Sequence, residues 1–275
     1  MLELAGPDHA AELRRFLAKD PIQNLYLLGI LEEHGISGRA GATPMRFWML
    51  RDGDQLRGAA FAGGALVVPS VSEPAMATPL AKALKGKVQF KGSVGDRASV
   101  DALFWALNGG AAVRISRPQR IFVATADALG PFVEPQLRLA TPPEVEAVVP
   151  LAAAWVRDNM GRDPLADGAD QFRARVEQRI ASSRTYVLRI GGAIVFKVDI
   201  GVRSQYGAEV EGVYTVAPHR RKGIATRALG QLARSLLSGL PRLTIRIDEG
   251  DVALASACRK IGFHASRPQR LLMLD

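Results

Sequence analysis

The sequence is short of cysteine, histidine and aromatic residues, and it has no long hydrophobic run. Cys258 is the single cysteine among 275 residues. One cysteine excludes an intramolecular disulfide framework and any CxxC-type zinc or thioredoxin site, and it points to a reducing, cytoplasmic setting. The four histidines, His9, His34, His219 and His264, are scattered and show neither HExxH spacing nor a facial His/carboxylate cluster, so no dedicated metal centre is expected. The longest weakly polar stretch, Gly58 to Val68, falls far short of the roughly 18 residues that cross a bilayer. The N-terminus carries Glu3 and Asp8 in place of an apolar signal region. Neither a membrane protein nor a secreted one is expected.

What is present describes a soluble folded protein: 48% hydrophobic residues and 36 Lys+Arg against 27 Asp+Glu, a net charge of +9. At about 150 residues per domain, the length suggests two domains. The charge is uneven, with 15 basic and 13 acidic residues up to Glu134 and 21 and 14 beyond it. The positive field therefore belongs to the C-terminal half, where it favours an anionic ligand: nucleic acid, an anionic membrane surface or a phosphorylated cofactor.

The chain reads as mixed α/β. In the first half, Ala10, Leu13, Phe16 and Leu17 have helical spacing, and Asp20, Pro21 and Gln23 sign the start of a second helix that Gly35 ends. Phe47 to Leu50 and Leu56 to Ala60 flank the tight-turn pair Asp52-Gly53. Helices around Met76 to Leu84 and Val100 to Leu107, with strands near Val88, Val113 and Phe122, complete the unit, and Trp48, Phe104 and Trp105 read as core. The segment Ala128 to Pro135 has the composition of a linker, so the domains are expected at 1–135 and 136–275. The second half begins with the capping box Thr141-Pro142-Pro143-Glu144, continues through a helix marked by Phe172, Val176 and Ile180, and reaches a hairpin at Gly191-Gly192. Helix, helix, hairpin is also the order of the first half, which suggests either a diverged repeat or two unrelated domains of similar order.

The informative stretch runs from Glu209 to Val216 as a strand, through Ala217-Pro-His-Arg-Arg-Lys-Gly-Ile-Ala225, into a helix marked by Leu229, Leu232 and Leu236. A strand that feeds a helix through such a turn gathers backbone N–H groups and the positive end of the helix dipole at one spot, which suits a pyrophosphate. Gly223 lets the backbone approach an anion, Ala225 keeps the first helical turn slim, and Arg220, Arg221 and Lys222 add full charges. The turn lacks the Gly-Lys-Ser/Thr ending of a nucleotide P-loop and the two early glycines of a dinucleotide fingerprint.

Arg220-x-x-Gly223-x-Ala225 resembles the acetyl-CoA signature of the GNAT N-acetyltransferases, and Val213-Tyr-Thr-Val before it is similar to their fourth strand. Leu243 to Ile247 alternates like their next strand, Asp251 stands where the family usually has Asn, and Arg259-Lys-Ile-Gly-Phe263 is similar to their closing Tyr-x-Lys-x-Gly-Phe block. This likeness covers the chain from Leu137 onward. With Asp20-Pro-Ile-Gln-Asn24 and Ile194-Val-Phe-Lys-Val198, the whole chain also resembles bacterial two-domain GNAT proteins whose N-terminal half is of unknown function. The resemblance implies a C-terminal GNAT domain with a mixed, strongly twisted central sheet flanked by helices, and an N-terminal half that is a degenerate GNAT-like domain without a CoA site. Gly92-Ser-Val-Gly95 then falls roughly where a degenerate loop would, with Asp96 following where an anion would need neutralising.

The activity implied is direct transfer of an acetyl group from acetyl-CoA to a primary amine of a small molecule or peptide in a ternary complex. Val213, Tyr214 and Thr215 would be the strand contacts to the pantetheine, Arg220, Arg221, Lys222, Gly223, Ile224 and Ala225 the pyrophosphate loop, and Asp251 a further cofactor contact. Alternation puts Glu209, Glu211, Val213 and Thr215 on one strand face, so either carboxylate could take the amine proton. Glu209 is preferred by its distance from the loop in some family members; the plain alternative is that both are salt-bridged in a basic domain. Many members place a tyrosine acid where Cys258 stands. Cys258 shares an apolar helix face with Leu254, Ala257 and Ile261, so it is either a buried core residue or a thiol proton donor. Two other functions stay open: an acyl-CoA-binding or sensing module without turnover, and an RNA-associated protein, which the charge suggests and the lack of an aromatic-interleaved basic stripe opposes. A homodimer is compatible with the sequence.

Overall fold

A computed structural model of the chain describes residues 1–40 and 43–275. In chain order its elements are β1 (Leu2–Leu4), α1 (Ala10–Leu17), α2 (Leu25–His34), β2 (Arg39–Ala40), β3 (Thr43–Asp52), β4 (Gln55–Gly63), β5 (Leu66–Val71), α3 (Ala77–Leu84), β6 (Gly92–Asp96), α4 (Arg97–Leu107) and β7 (Val113–Ala124). Then follow β8 (Arg138–Leu139), α5 (Val145–Met160), α6 (Pro164–Ala181), β9 (Thr185–Ile190), β10 (Ala193–Ser204), β11 (Gly207–Thr215), α7 (Ile224–Leu237), β12 (Leu243–Asp248), α8 (Val252–Ile261) and β13 (His264–Leu274). Among the described residues no helix is long and apolar enough to cross a membrane.

Two compact units divide the chain. The first holds Met1–Ile121, Arg246–Asp251 and Ala265–Asp275; the second holds Phe122–Ile245 and Val252–His264. The division is thus not a single cut at residue 135, because the C-terminal strand β13 pairs antiparallel with β6, Gln269 opposite Asp96 and Met273 opposite Gly92. Pairing between residues so far apart in sequence carries no local signature.

In the first unit the strands follow the order β1-β3-β4-β5-β6-β13-β7. The β3–β4 hairpin closes at Asp52 opposite Gln55, with Gly53 at φ +55, so the turn residues are Gly53 and Asp54. Asp20 caps a turn, accepting from the Gln23 N–H at 3.1 Å, and α2 starts only at Leu25. Apolar side chains of α3 and α4, including Leu80, Leu84 and Leu103, pack with Leu50, Ala60 and Val67 of the strands. Three expectations need correction. Val88 lies outside any strand. Gly92–Gly95 is no loop but the body of β6; a Cβ on Gly92 would lie 2.6 Å from the Met273 sulfur, so this glycine makes room for β13. Trp105 is 82% exposed, because α4 turns Leu103 inward and Phe104 and Trp105 away from that contact face.

In the second unit the order is β12-β11-β10-β9-β8. β8–β9, β9–β10 and β10–β11 are antiparallel, and β11–β12 is parallel. The first unit has the same scheme, with β1–β3, β3–β4 and β4–β5 antiparallel and β5–β6 parallel. Two helices follow the first strand in each unit, and one follows each strand of the parallel pair: α3 and α4 after β5 and β6, α7 and α8 after β11 and β12. The halves are one topology used twice. The expected capping box forms: Glu144 accepts from the Thr141 backbone N–H at 2.9 Å. Arg138 grips the same carboxylate with two hydrogen bonds and Arg189 adds a third. Chiefly through Arg138, the carboxyl is held down to about 2. Residues of the expected linker pack on α7 and α8: Gly130 N–H donates to Ile261 O at 2.8 Å, Arg234 reaches Gly130 O, and Arg227 pairs with Glu134 at 3.1 Å.

Candidate acyl-CoA site at the end of β11

β11 changes character along its length. Ala208, Glu209 and Val210 pair with Leu243, Thr244 and Ile245 of β12, and the paired register stops there while β11 runs on to Thr215. On its other edge the strand stays paired with β10, but the register shifts by one residue between Asp199↔Glu211 and Lys197↔Tyr214. Two residues, Gly212 and Val213, therefore oppose Val198. This is a β-bulge, and Gly212 adopts φ +61, a conformation glycine takes without a Cβ penalty. The bulge overturns the simple alternation expected for this strand. Tyr214, opposite Lys197, joins the face of Glu211, opposite Asp199, whereas Val213 and Thr215 do not.

After Thr215 the chain makes a short 3-10 turn, Ala217–His219, and reaches α7 through Arg220–Gly223. Arg221 at φ +63 and Gly223 at φ +72 are both left-handed. Such turns make concave nests of N–H groups. Among the described residues the backbone N–H groups of residues 221–226 find no protein acceptor; the next, on Arg227, donates to Gly223 O. No acidic side chain lies in the first turn of α7 and none caps it. Positive potential at this helix start is thus left for something else to neutralise. Arg221 and Lys222 are exposed, Ile224 is buried beneath the turn and Ala225 is half-buried.

Arg220 is not poised as a free cation. Its Nε donates to Thr215 O at 2.9 Å, its guanidinium pairs with Asp158 at 3.2 Å and it stacks over the Tyr214 ring at 5.2 Å. It ties the turn to the end of β11. Arg227 joins the turn to Glu134 instead, donating to Lys222 O at 3.2 Å while paired with that carboxylate at 3.1 Å.

The expected bases differ in surroundings. Glu209 is 5% exposed and lies in the fully paired stretch of β11. Glu211, the first residue past the β12 pairing, is held by Arg179 of α6 at 2.6 Å. Cys258 is fully enclosed, and its carbonyl ends α8 by accepting from Phe263 N–H at 2.9 Å. Asp251 is exposed just before α8, its N–H donating to Asp248 O, and falls within the first unit. Sequence reasoning missed Gly212, Lys197 and Asp199. A glycine inside a strand is a bulge signal, and a Lys-x-Asp pair inside an apolar run puts two charges on one buried face.

No protein-family model matches the chain, and no curated protein matches it by sequence. Solved structures do match over the whole length. A GNAT-family acetyltransferase from Colwellia psychrerythraea covers 100% of this chain and 100% of its own at 11% identity, with a TM-score of 0.60. A Drosophila protein covers 100% and 98% at 15% identity and a TM-score of 0.71. A tandem GNAT protein from the clavulanic acid biosynthesis pathway covers 99% and 98% at 13% identity and a TM-score of 0.58. The chain has the GNAT fold, in a two-domain form.

Proposed function

We propose that this chain is an acyl-CoA-dependent N-acyltransferase that moves an acetyl group from acetyl-CoA to a primary amine of a small molecule or peptide, by direct transfer in a ternary complex. One observation carries the reading. β11 leaves β12 after Val210, bulges at Gly212 and ends in a basic turn whose N–H groups at residues 221–226 have no protein acceptor among the described residues. When bound, acetyl-CoA supplies an activated thioester. In this reading the backbone of Val213, Tyr214 and Thr215, unpaired on the β12 side, takes the pantetheine arm. The amides from Arg221 to Ala225 take the pyrophosphate with the dipole of α7, and the charges of Arg221 and Lys222 surround it. Ile224 anchors the helix start, and Arg220 acts mainly by holding the turn to Thr215 and Asp158. Asp251 stays a candidate contact on the strength of its motif position.

Glu209 takes the amine proton, directly or through water, a role supported by its distance before the basic turn. Cys258, fully enclosed, packs α8, and the leaving thiolate takes its proton from solvent. That enclosure also favours a second reading, acyl-CoA binding without turnover. A reducing, cytoplasmic setting suits the single cysteine.

Acetyl-CoA or CoA should raise the thermal midpoint, whereas ATP and NAD should not, since a ligand selective for the native state adds roughly 2.7 kcal/mol at a hundred times Kd. Free-thiol release from acetyl-CoA across an amine panel then separates transfer from binding. No thermal shift and no calorimetric heat with millimolar CoA would overturn the cofactor assignment.

A further inference from the structure

Beside the bulge lies a buried ionic cluster that the proposed chemistry does not use. Lys197 is 2% exposed and Asp199 5%. The Lys197 ammonium pairs with Asp199 Oδ2; Thr185 Oγ1 donates to Asp199 Oδ1 at 2.8 Å; Arg179 reaches Asp199 at 3.3 Å and Glu211 at 2.6 Å. Two cations and two carboxylates balance within the cluster. The pair sits against the one residue whose conformation makes the bulge. A Cβ on Gly212 would lie 2.6 Å from Asp199 Oδ2 and 2.8 Å from the Lys197 ammonium. A second glycine, Gly201, gives the Glu211 carboxylate its place in the same way, at 2.7 Å.

We propose that Lys197 and Asp199 are positioning residues: their buried pair occupies the space left by Gly212, pins the β-bulge and so fixes the unpaired end of β11 over residues 213–215. The physical reason is that a buried ion pair gains little in net stability but admits few alternative arrangements. A strand end unpaired on one side would otherwise slip by a residue and turn its side chains over. This rests on the acyl-CoA reading for its consequence, because the strand end is the part assigned to the pantetheine arm. The pyrophosphate loop is held separately, by Arg220 and Arg227. The pair should therefore matter to one half of the ligand and not to the other.

The test is the charge-balanced double variant Lys197→Met with Asp199→Asn, which keeps Arg179 paired with Glu211. Residue-resolved amide exchange should speed up about tenfold or more at 212–216 and stay unchanged at 207–210, where β12 holds the strand. By calorimetry, affinity for CoA should fall about tenfold or more, while affinity for adenosine 3′-phosphate 5′-diphosphate, which lacks the pantetheine arm, should stay within about twofold. Gly212→Ala should reproduce both effects from the other side of the contact. Unchanged exchange at 212–216 overturns the proposal, as does equal loss of CoA and of the fragment. Should the double variant fail to fold, Lys197→Met alone, which leaves Asp199 held by Arg179 and Thr185, is read against the same outcomes. If the wild-type chain binds neither ligand, the acyl-CoA reading falls, and the exchange measurement still decides whether the pair pins the bulge.

Discussion

The two units run the same topology, and they differ most at the turn that follows their fourth strand. In the first unit β5 passes to α3 through Ser72–Met76, which carries Glu73 and Pro74, no glycine and no basic residue. Glu73 pairs with Arg57, and β5 keeps one register with β4 along its whole paired length. In the second unit β11 bulges at Gly212, and its turn to α7 carries Arg220, Arg221, Lys222 and a left-handed Gly223. Both strands outrun their parallel partner, for β5 pairs with β6 only at Leu66 and Val67. Topology therefore supplies a splayed strand twice. Neither α3 nor α7 has a side-chain cap, but the turn before α7 carries basic residues and the turn before α3 does not, so the acyl-CoA reading expects one anion site per chain.

The largest break in this comparison is Gly223→Val. A β-branched side chain at φ +72, with Arg227 already 3.3 Å from where its Cβ would stand, disfavours the turn and fills its concavity. CoA binding should fall below calorimetric detection in a folded variant, and near-native affinity would reduce the turn to a connector. Next comes Glu209→Gln, which should lower kcat by about 10² to 10⁴ with CoA affinity unchanged, as loss of a general base does. Unchanged kcat there, with a large loss in Glu211→Gln, would move the role to Glu211.

Acid should then act on the second unit through Glu144. Its folded value of about 2 lies below the ordinary 4.5 because Arg138, and then Thr141, bind the charged form. The stabilisation is full above pH 4.5 and is lost as the pH falls through 2. About 2 to 3 kcal/mol should disappear across that range, and Glu144→Gln should flatten this part of the acid-unfolding profile. In the first unit, Asp96 caps α4 by accepting from the Ser99 N–H at 3.0 Å. Asp96→Ala should cost about 1 kcal/mol in denaturant unfolding and leave CoA affinity untouched. The smallest effect is expected at Glu73. Glu73→Ala removes an exposed ion pair worth under about 1 kcal/mol, and titration should still show a single CoA site per chain. A second equivalent of heat would break the comparison.

Much of the molecule was legible from short stretches of chain. The capping box at Thr141 and Glu144, the hairpins at Gly53 and at Gly191-Gly192, and the strand–turn–helix around Gly223 each depend on residues a few positions apart, so their signals survive without the fold. Gly92–Gly95 is a strand and not a loop for the complementary reason. Two glycines near a helix look alike whether they admit an anion or, as Gly92 does, the sulfur of Met273 from 181 positions downstream. Trp105 has the composition of a core residue and the address of a surface one, since the face a helix buries is set by what packs on it.

Sequence by itself determined the class of chain, the order of its elements and the basic turn, because propensity, capping and charge act locally. Tertiary structure alone decided that β13 would complete the sheet of the first unit, that β11 would part from β12 after Val210, and that Lys197 and Asp199 would meet over Gly212. Each of these depends on which distant backbone supplies a hydrogen bond, and a strand offers the same N–H and C=O groups to any neighbour.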